Sequence, residues 1–159
     1  MRQSIQSFGV SVFVLFATLA GASAQSGDLG WRRIDVLGAS TQYPAAVLTT
    51  QSKRGENGVS LAREDGRARL SIFTSANARH ETPRAFLRRN FPFDRTRLGY
   101  DRVASNFFAV SMRREGKIFY TRCNFASAIH CIEFEYPGTE KRQWDGIVTR
   151  VSRSLRPLG

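Results

Sequence analysis

The stretch that decides the fold covers residues 107–136 and reads FFAVSMRREGKIFYTRCNFASAIHCIEFEY. Its three apolar or alternating runs are typical of β-strands, and short polar turns separate them. The stretch also holds both cysteines of the chain, Cys123 and Cys131. We therefore predict two consecutive antiparallel hairpins, with the two cysteines facing each other across the second.

Pairing Cys123 with Cys131 sets the register of the second hairpin. Tyr120 then lies opposite Phe134, so the apolar side chains share one face and the sulfurs lie on the other. We predict a disulfide that staples the end of this strand pair from outside the core. A metal site of two thiols and His130 is the alternative, but a structural zinc needs four ligands and the sequence offers no second cysteine pair.

For the first hairpin we predict a three-residue turn, Arg114-Glu115-Gly116, with the glycine in the left-handed conformation. This turn pairs Val110 with Tyr120, which keeps one face of the hairpin mostly apolar.

A third hairpin is predicted upstream, from strands at residues 58–63 and 67–74. A two-residue Asp65-Gly66 turn of type I′ pairs Leu61 with Leu70, whereas a three-residue turn would place Leu61 against an arginine.

The remaining segments complete an α+β pattern. We predict strands at residues 31–37, 43–48 and 98–106, and an exposed loop at 49–57. Pro44 favours an edge position for the second of these strands.

Two helices are predicted on this sheet. A short one lies within residues 81–90, where Thr82 is the N-cap, Pro83 takes the first helical position, and Phe86 and Leu87 face the core. A long one runs from Glu140 to about Leu155 after an N-cap at Thr139. Its apolar stripe comprises Trp144, Ile147, Val148, Val151 and Leu155. The predicted fold is a twisted antiparallel sheet of about six strands, with both helices packed on it.

The N-terminus has the features of a secretory signal peptide. Arg2 precedes an apolar stretch, and the small residues Ala22-Ser23-Ala24 form a cleavage site. A membrane anchor is the alternative, but the apolar stretch is shorter than the roughly 20 residues that span a bilayer. We predict a signal peptide at 1–24, a linker at 25–30, a single domain at 31–156, and a periplasmic or secreted protein with no transmembrane segment after cleavage.

The chain is strongly basic, with 24 Lys and Arg against 13 Asp and Glu. Such a charge balance favours an anionic partner: a membrane surface, lipopolysaccharide, acidic polysaccharide or acidic protein. Export makes intracellular nucleic acid the partner that we least expect. The densest basic region surrounds the predicted short helix, and we interpret it as a candidate surface for an anionic partner. Its residues are Arg79, Arg84, Arg88, Arg89, Arg95 and Arg97.

Catalytic chemistry has little support in the sequence. Glu133 and Glu135 share one face of a strand, about 7 Å apart by strand rise, and could form a carboxylate pair. His80 and His130 are the only histidines, and neither has a neighbour that suggests a triad. We expect both to be surface or edge histidines. A small cell-envelope hydrolase that uses Glu133, Glu135 or His130 is therefore the alternative hypothesis, and we expect no metal or cofactor.

Several segments resemble a known group of proteins. Gly58-Val59-Ser60-Leu61 leading to Asp65-Gly66, then Glu135-Tyr136-Pro137, and finally residues 145–155 resemble small exported alphaproteobacterial proteins with a Mog1/PsbP-like fold. The resemblance implies an antiparallel sheet with packed helices and a non-catalytic binding or accessory role, without any active-site residue. An envelope protein with a purely structural role has the same sequence features.

Overall fold

The computed structural model describes residues 28–91 and 98–158. The predicted signal peptide, Arg95 and Arg97 lie outside these ranges. The strands are β1 (Trp31–Val36), β2 (Ala39–Pro44), β3 (Thr50–Lys53), β4 (Gly58–Ala62), β5 (Arg69–Ala76), β6 (Leu98–Val103), β7 (Phe107–Arg114), β8 (Lys117–Phe125), β9 (Ala128–Pro137) and β10 (Arg156–Pro157). The helices are α1 (Pro83–Asn90) and α2 (Lys141–Ser154).

The strands form two antiparallel sheets. The large sheet has the order β3-β4-β5-β9-β8-β7-β6, and the small sheet has the order β1-β2-β10. This arrangement confirms the predicted α+β class, with seven strands in the main sheet.

Both faces of the large sheet are partly covered. On one face, α2 and the small sheet bury an apolar core that includes Leu61, Leu70, Ile132, Phe134, Trp144 and Val151. On the other face, α1 covers a second cluster, formed by Phe86, Leu87, Phe108, Val110, Cys123, Ile129 and Cys131. The fold therefore has three layers, with the large sheet in the middle.

Two of the predicted registers are confirmed. Leu61 lies opposite Leu70 in β4 and β5, and Cys123 lies opposite Cys131 in β8 and β9. The β4–β5 turn is not the predicted type I′, because Gly66 has a positive φ of 68° and Asp65 does not. A bond from Gly66 N to Arg63 O closes the turn instead.

The predicted register of β7 and β8 is wrong by one residue. Arg114 pairs with Lys117, and Glu115 and Gly116, at φ 51° and 76°, form a two-residue turn. Such a turn matches the twist of the strands, and a one-residue shift moves every side chain to the other face. Val110 therefore pairs with Thr121 on the α1 side, not with Tyr120.

The predicted disulfide is present, but its predicted outward position is wrong. Cys123 and Cys131 are bonded and completely buried beneath α1. The reason is that α1 gives this face of the sheet a core of its own, whereas the prediction assumed a single buried face.

The second strand begins earlier than predicted, at Ala39, and Pro44 is its last residue. Hydrophobic patterning did not reveal this strand, because several of its side chains are polar. Thr41 is nevertheless buried, and its Oγ1 donates to Val151 O, near the end of α2, at 3.1 Å. The predicted exposed loop contains β3, whose four side chains are exposed and carry no apolar pattern.

Both helices form at the predicted positions. The Thr82 side chain accepts from Ala85 N at 3.3 Å, and Phe86 and Leu87 are buried, as predicted. Before α2, residues Gly138–Glu140 form a 3₁₀ turn, so the N-cap is Glu140 and not Thr139. Among the described residues, no helix is long and apolar enough to cross a membrane.

Candidate functional site

A groove opens on the α2 face of the large sheet, beyond the strands that α2 covers. Helix α2 packs on β2 and β9, and leaves part of the same face of β6, β7 and β8 open. The groove has a volume of about 650 Å³. Its floor consists of Tyr100, Arg102, Ser111, Arg113, Tyr120 and Arg122. We call it the arginine–tyrosine groove.

One side of α2 forms the wall of the groove. The wall residues recur at helical spacing, so they form a single stripe. They are Lys141, Asp145, Val148, Thr149, Ser152 and Arg153. From Lys141 to Arg153 the wall is about 18 Å long at 1.5 Å per residue.

The groove carries a strong excess of positive charge. Five basic side chains line it, against the single carboxylate of Asp145. Lys141 Nζ donates to both carboxylate oxygens of Asp145, at 2.9 and 2.7 Å. Within residues 28–91 and 98–158, no carboxylate lies within salt-bridge distance of the four arginines. These are Arg102, Arg113, Arg122 and Arg153.

Neighbouring groups orient the arginines of the floor. The guanidinium groups of Arg102 and Arg122 lie 5.4 and 4.3 Å from the ring centre of Phe107. Arg122 Nε also donates to Asn124 Oδ1 at 2.9 Å, and Arg113 donates to Gly138 O at 3.3 Å. Because these contacts restrict the side chains before any ligand arrives, less conformational entropy is lost on binding.

The tyrosines add neutral hydroxyl groups and aromatic surface. Tyr120 OH and Ser152 Oγ are 2.7 Å apart, and burial raises the pKa of Tyr120. Burial also raises the pKa of Tyr136, which lines the groove too, to about 12. Both phenols therefore remain uncharged at neutral pH and do not weaken the positive potential. Tyr100 is 44% exposed and presents its ring to solvent.

The arrangement suits anion binding. Guanidinium groups form charge-assisted hydrogen bonds to carboxylate, sulfate or phosphate, and the hydroxyls of Ser111 and Thr149 can donate or accept further hydrogen bonds. In the part of the chain that the structure describes, no group of three His, Cys, Asp or Glu side chains could hold a metal ion.

Four residues of the basic surface predicted around α1 lie in the described part of the chain. Arg84 and Arg88 are exposed on α1, and Arg79 is exposed before it. Arg89 is neutralised by Glu81, with Nε to Oε1 at 2.8 Å, and this hydrogen bond lowers the pKa of Glu81. Arg89 and Glu81 together thus add no net charge to this surface.

The three residues of the hydrolase hypothesis do not form one site. Glu133 and Glu135 point to the α1 face, into a cleft of about 340 Å³, whereas His130 lies on the opposite face of the same strand. Arg54 binds Glu133 at 2.8 Å, Lys117 pairs with Glu135, and burial raises the pKa of Glu133.

His130 is not the surface or edge histidine that we predicted, because it is only 3% exposed. Its Nδ1 lies 3.0 Å from Thr74 Oγ1, which donates to Leu37 O. The turn between β1 and β2 explains the error, because it covers the ring: a Cβ on Gly38 would lie 3.6 Å from His130 Cε1. His80 is exposed, as predicted.

Comparison with known proteins finds a similar fold. No protein-family model matches the chain, and no curated protein matches its sequence significantly. The solution structure of cyanobacterial PsbP (CyanoP) from Synechocystis sp. PCC 6803 superposes with a TM-score of 0.61. The match has 10% sequence identity and covers 87% of this chain and 98% of CyanoP. The chain has a PsbP-like fold. At this identity the PsbP-like fold carries no residue roles over to this chain.

Sequence reasoning missed the arginine–tyrosine groove. A signal was present, because tyrosine and arginine alternate at period two in Tyr100-Asp101-Arg102 and in Tyr120-Thr121-Arg122. Recognising it requires knowing that β6 and β8 flank the same strand, β7.

Proposed function

We propose that this protein is a secreted, non-catalytic binding or accessory protein that holds an anionic envelope component or acidic protein in the arginine–tyrosine groove. The observation that carries the proposal is the charge of the groove: five basic side chains against one carboxylate. Four arginines without a described carboxylate partner repel one another, and an anionic ligand relieves this repulsion.

The other features are consistent with this role. The predicted signal peptide, with cleavage before Gln25, would deliver a domain of residues 31–156 to the periplasm. The disulfide is compatible with an oxidising compartment. A PsbP-like fold fits an accessory role, and the separation of His130 from Glu133 and Glu135 gives the hydrolase hypothesis no assembled site.

The test compares two variants, each of which loses two positive charges from a different surface. The variant Arg102→Gln/Arg113→Gln removes two charges from the groove, and Arg84→Gln/Arg88→Gln removes two from α1. The readout is the affinity for a heparin-derived tetrasaccharide, with neutral dextran as the uncharged control. An arginine that binds an anion contributes roughly 1 kcal/mol or more, so the groove variant should bind at least about tenfold more weakly.

The α1 variant should retain most of the affinity, and binding by the wild type should weaken as salt rises, because salt screens exposed charges. If the α1 variant loses as much affinity as the groove variant, the ligand is held by net charge and not by the groove. Equal binding of dextran would overturn the proposal altogether.

A further inference from the structure

The basic surface continues past the end of the arginine–tyrosine groove. Arg153 lines the groove and also a second hollow of about 280 Å³, which we call the β2 hollow. The other basic residues of the β2 hollow are Arg33 and Arg156, and no carboxylate lines it. One arginine thus joins two positively charged depressions.

Backbone pairing and a partly buried hydrogen bond hold the β2 hollow in shape. Arg156 of β10 pairs with Ser40 of β2, and Arg33 of β1 pairs with Gln42. The N–H of Gln42 donates to Ser154 Oγ at 2.8 Å, which ties β2 to the end of α2. Arg33, Arg153 and Arg156 are exposed, so their guanidinium groups are accessible around a fixed floor.

The two depressions form one basic track. It begins at Lys141, follows the α2 wall for about 18 Å, and continues past Arg153 to Arg33 and Arg156. Seven basic side chains line it, against the one carboxylate of Asp145. A single phosphate or carboxylate reaches only two or three of these groups, so a ligand that satisfies the whole track must repeat its negative charge along its length.

The uncharged groups of the track indicate the class of polymer. The hydroxyls of Ser111 and Thr149 can hydrogen-bond a hydroxyl-rich chain, and the exposed ring of Tyr100 offers a flat apolar surface to a sugar ring. The disulfide is compatible with a periplasmic or secreted protein, and such a protein meets polysaccharides rather than intracellular nucleic acid.

We infer that the track binds a linear acidic polysaccharide that runs from Lys141 to Arg156. This inference rests on the proposed anion-binding role of the groove and adds both the ligand class and the far end of the site.

The experiment measures affinity by calorimetry for heparin-derived oligosaccharides of two lengths, a tetrasaccharide and a dodecasaccharide. The variant Arg33→Gln/Arg156→Gln removes two charges at the far end of the track, and Arg84→Gln/Arg88→Gln is the charge-matched control. Wild-type protein should bind the dodecasaccharide at least about tenfold more tightly, because a long chain engages both depressions at once.

The far-end variant should lose most of this length-dependent gain, whereas the control should keep it. If the far-end variant and the control behave alike, the track is refuted while the groove itself stands. If Arg102→Gln/Arg113→Gln leaves tetrasaccharide binding unchanged, the proposed function fails first.

A single-stranded oligonucleotide and a polyglutamate peptide of the same charge test the ligand class. Tighter binding of either one at equal salt would overturn the assignment to a polysaccharide. An NMR titration of the wild type provides a second readout that needs no variant. The amides of Arg33 and Arg156 should shift with the dodecasaccharide and not with the tetrasaccharide, and shifts with neither would refute the track.

Discussion

Replacing both cysteines by alanine should destabilise the protein substantially. The disulfide joins residues separated by 8 positions, and the loop-closure term for such a short loop is about 2.5 kcal/mol. Cys123 and Cys131 are completely buried under α1, so the lost sulfur contacts leave a small cavity that costs roughly 1 kcal/mol. We expect the free energy of unfolding to fall by about 3 to 4 kcal/mol, as measured by urea denaturation at 25 °C.

A serine pair at the same positions distinguishes a buried disulfide from an exposed one. Cys123→Ser/Cys131→Ser places two hydroxyls among the side chains of Phe86, Leu87 and Phe108. A buried hydroxyl without a good partner costs roughly 1 to 3 kcal/mol, so the serine variant should be clearly less stable than the alanine variant. Equal stability of the two variants would refute the burial of this bond.

Three further predictions concern the fold and its export. Burial lowers the pKa of His130 below its unfolded value of about 6.5, so the unfolded state binds more protons in acid. The free energy of unfolding should therefore fall as the pH drops below that value. His130→Gln should weaken this pH dependence, whereas His80→Gln should leave it unchanged. An alanine Cβ at Gly58 would lie 2.4 Å from Ile72 O, whereas one at Gly146 meets no atom within 4 Å. In thermal melts, Gly58→Ala should destabilise the protein by about 3 kcal/mol, and Gly146→Ala should stabilise it by roughly 0.5 to 1 kcal/mol. A Gly58→Ala variant more stable than Gly146→Ala would contradict this packing. If the predicted signal peptide is cleaved, N-terminal sequencing of protein recovered from a periplasmic fraction should begin at Gln25; an intact Met1 would exclude cleavage there.

The sequence could predict registers where both partners of a hairpin place their apolar residues on one face. Leu61 and Leu70 do so, and the paired cysteines fix the β8–β9 register in the same way. The predicted register of β7 and β8 was wrong, because Val110 points to α1 while Tyr120 points to α2. A strand pair buried on both faces lacks the contrast between apolar and polar sides that selects a register.

The candidate site was less accessible to sequence reasoning than the fold. The arginines that cluster along the chain predicted a basic surface around α1, where Glu81 neutralises Arg89. The groove instead collects Arg102, Arg113 and Arg153 from three separate elements. Their proximity depends on the strand order and on which strands α2 leaves uncovered. Neither of these can be predicted from the local sequence pattern.

NMR mapping of a bound anion tests the central claim most directly. A titration of ¹⁵N-labelled protein with the heparin-derived tetrasaccharide should shift amides on β6, β7, β8 and the groove side of α2, including those of Tyr100, Arg113 and Thr149. It should leave those of Arg84 and Arg88 unchanged. Shifts concentrated on α1, with the groove unaffected, would contradict the account.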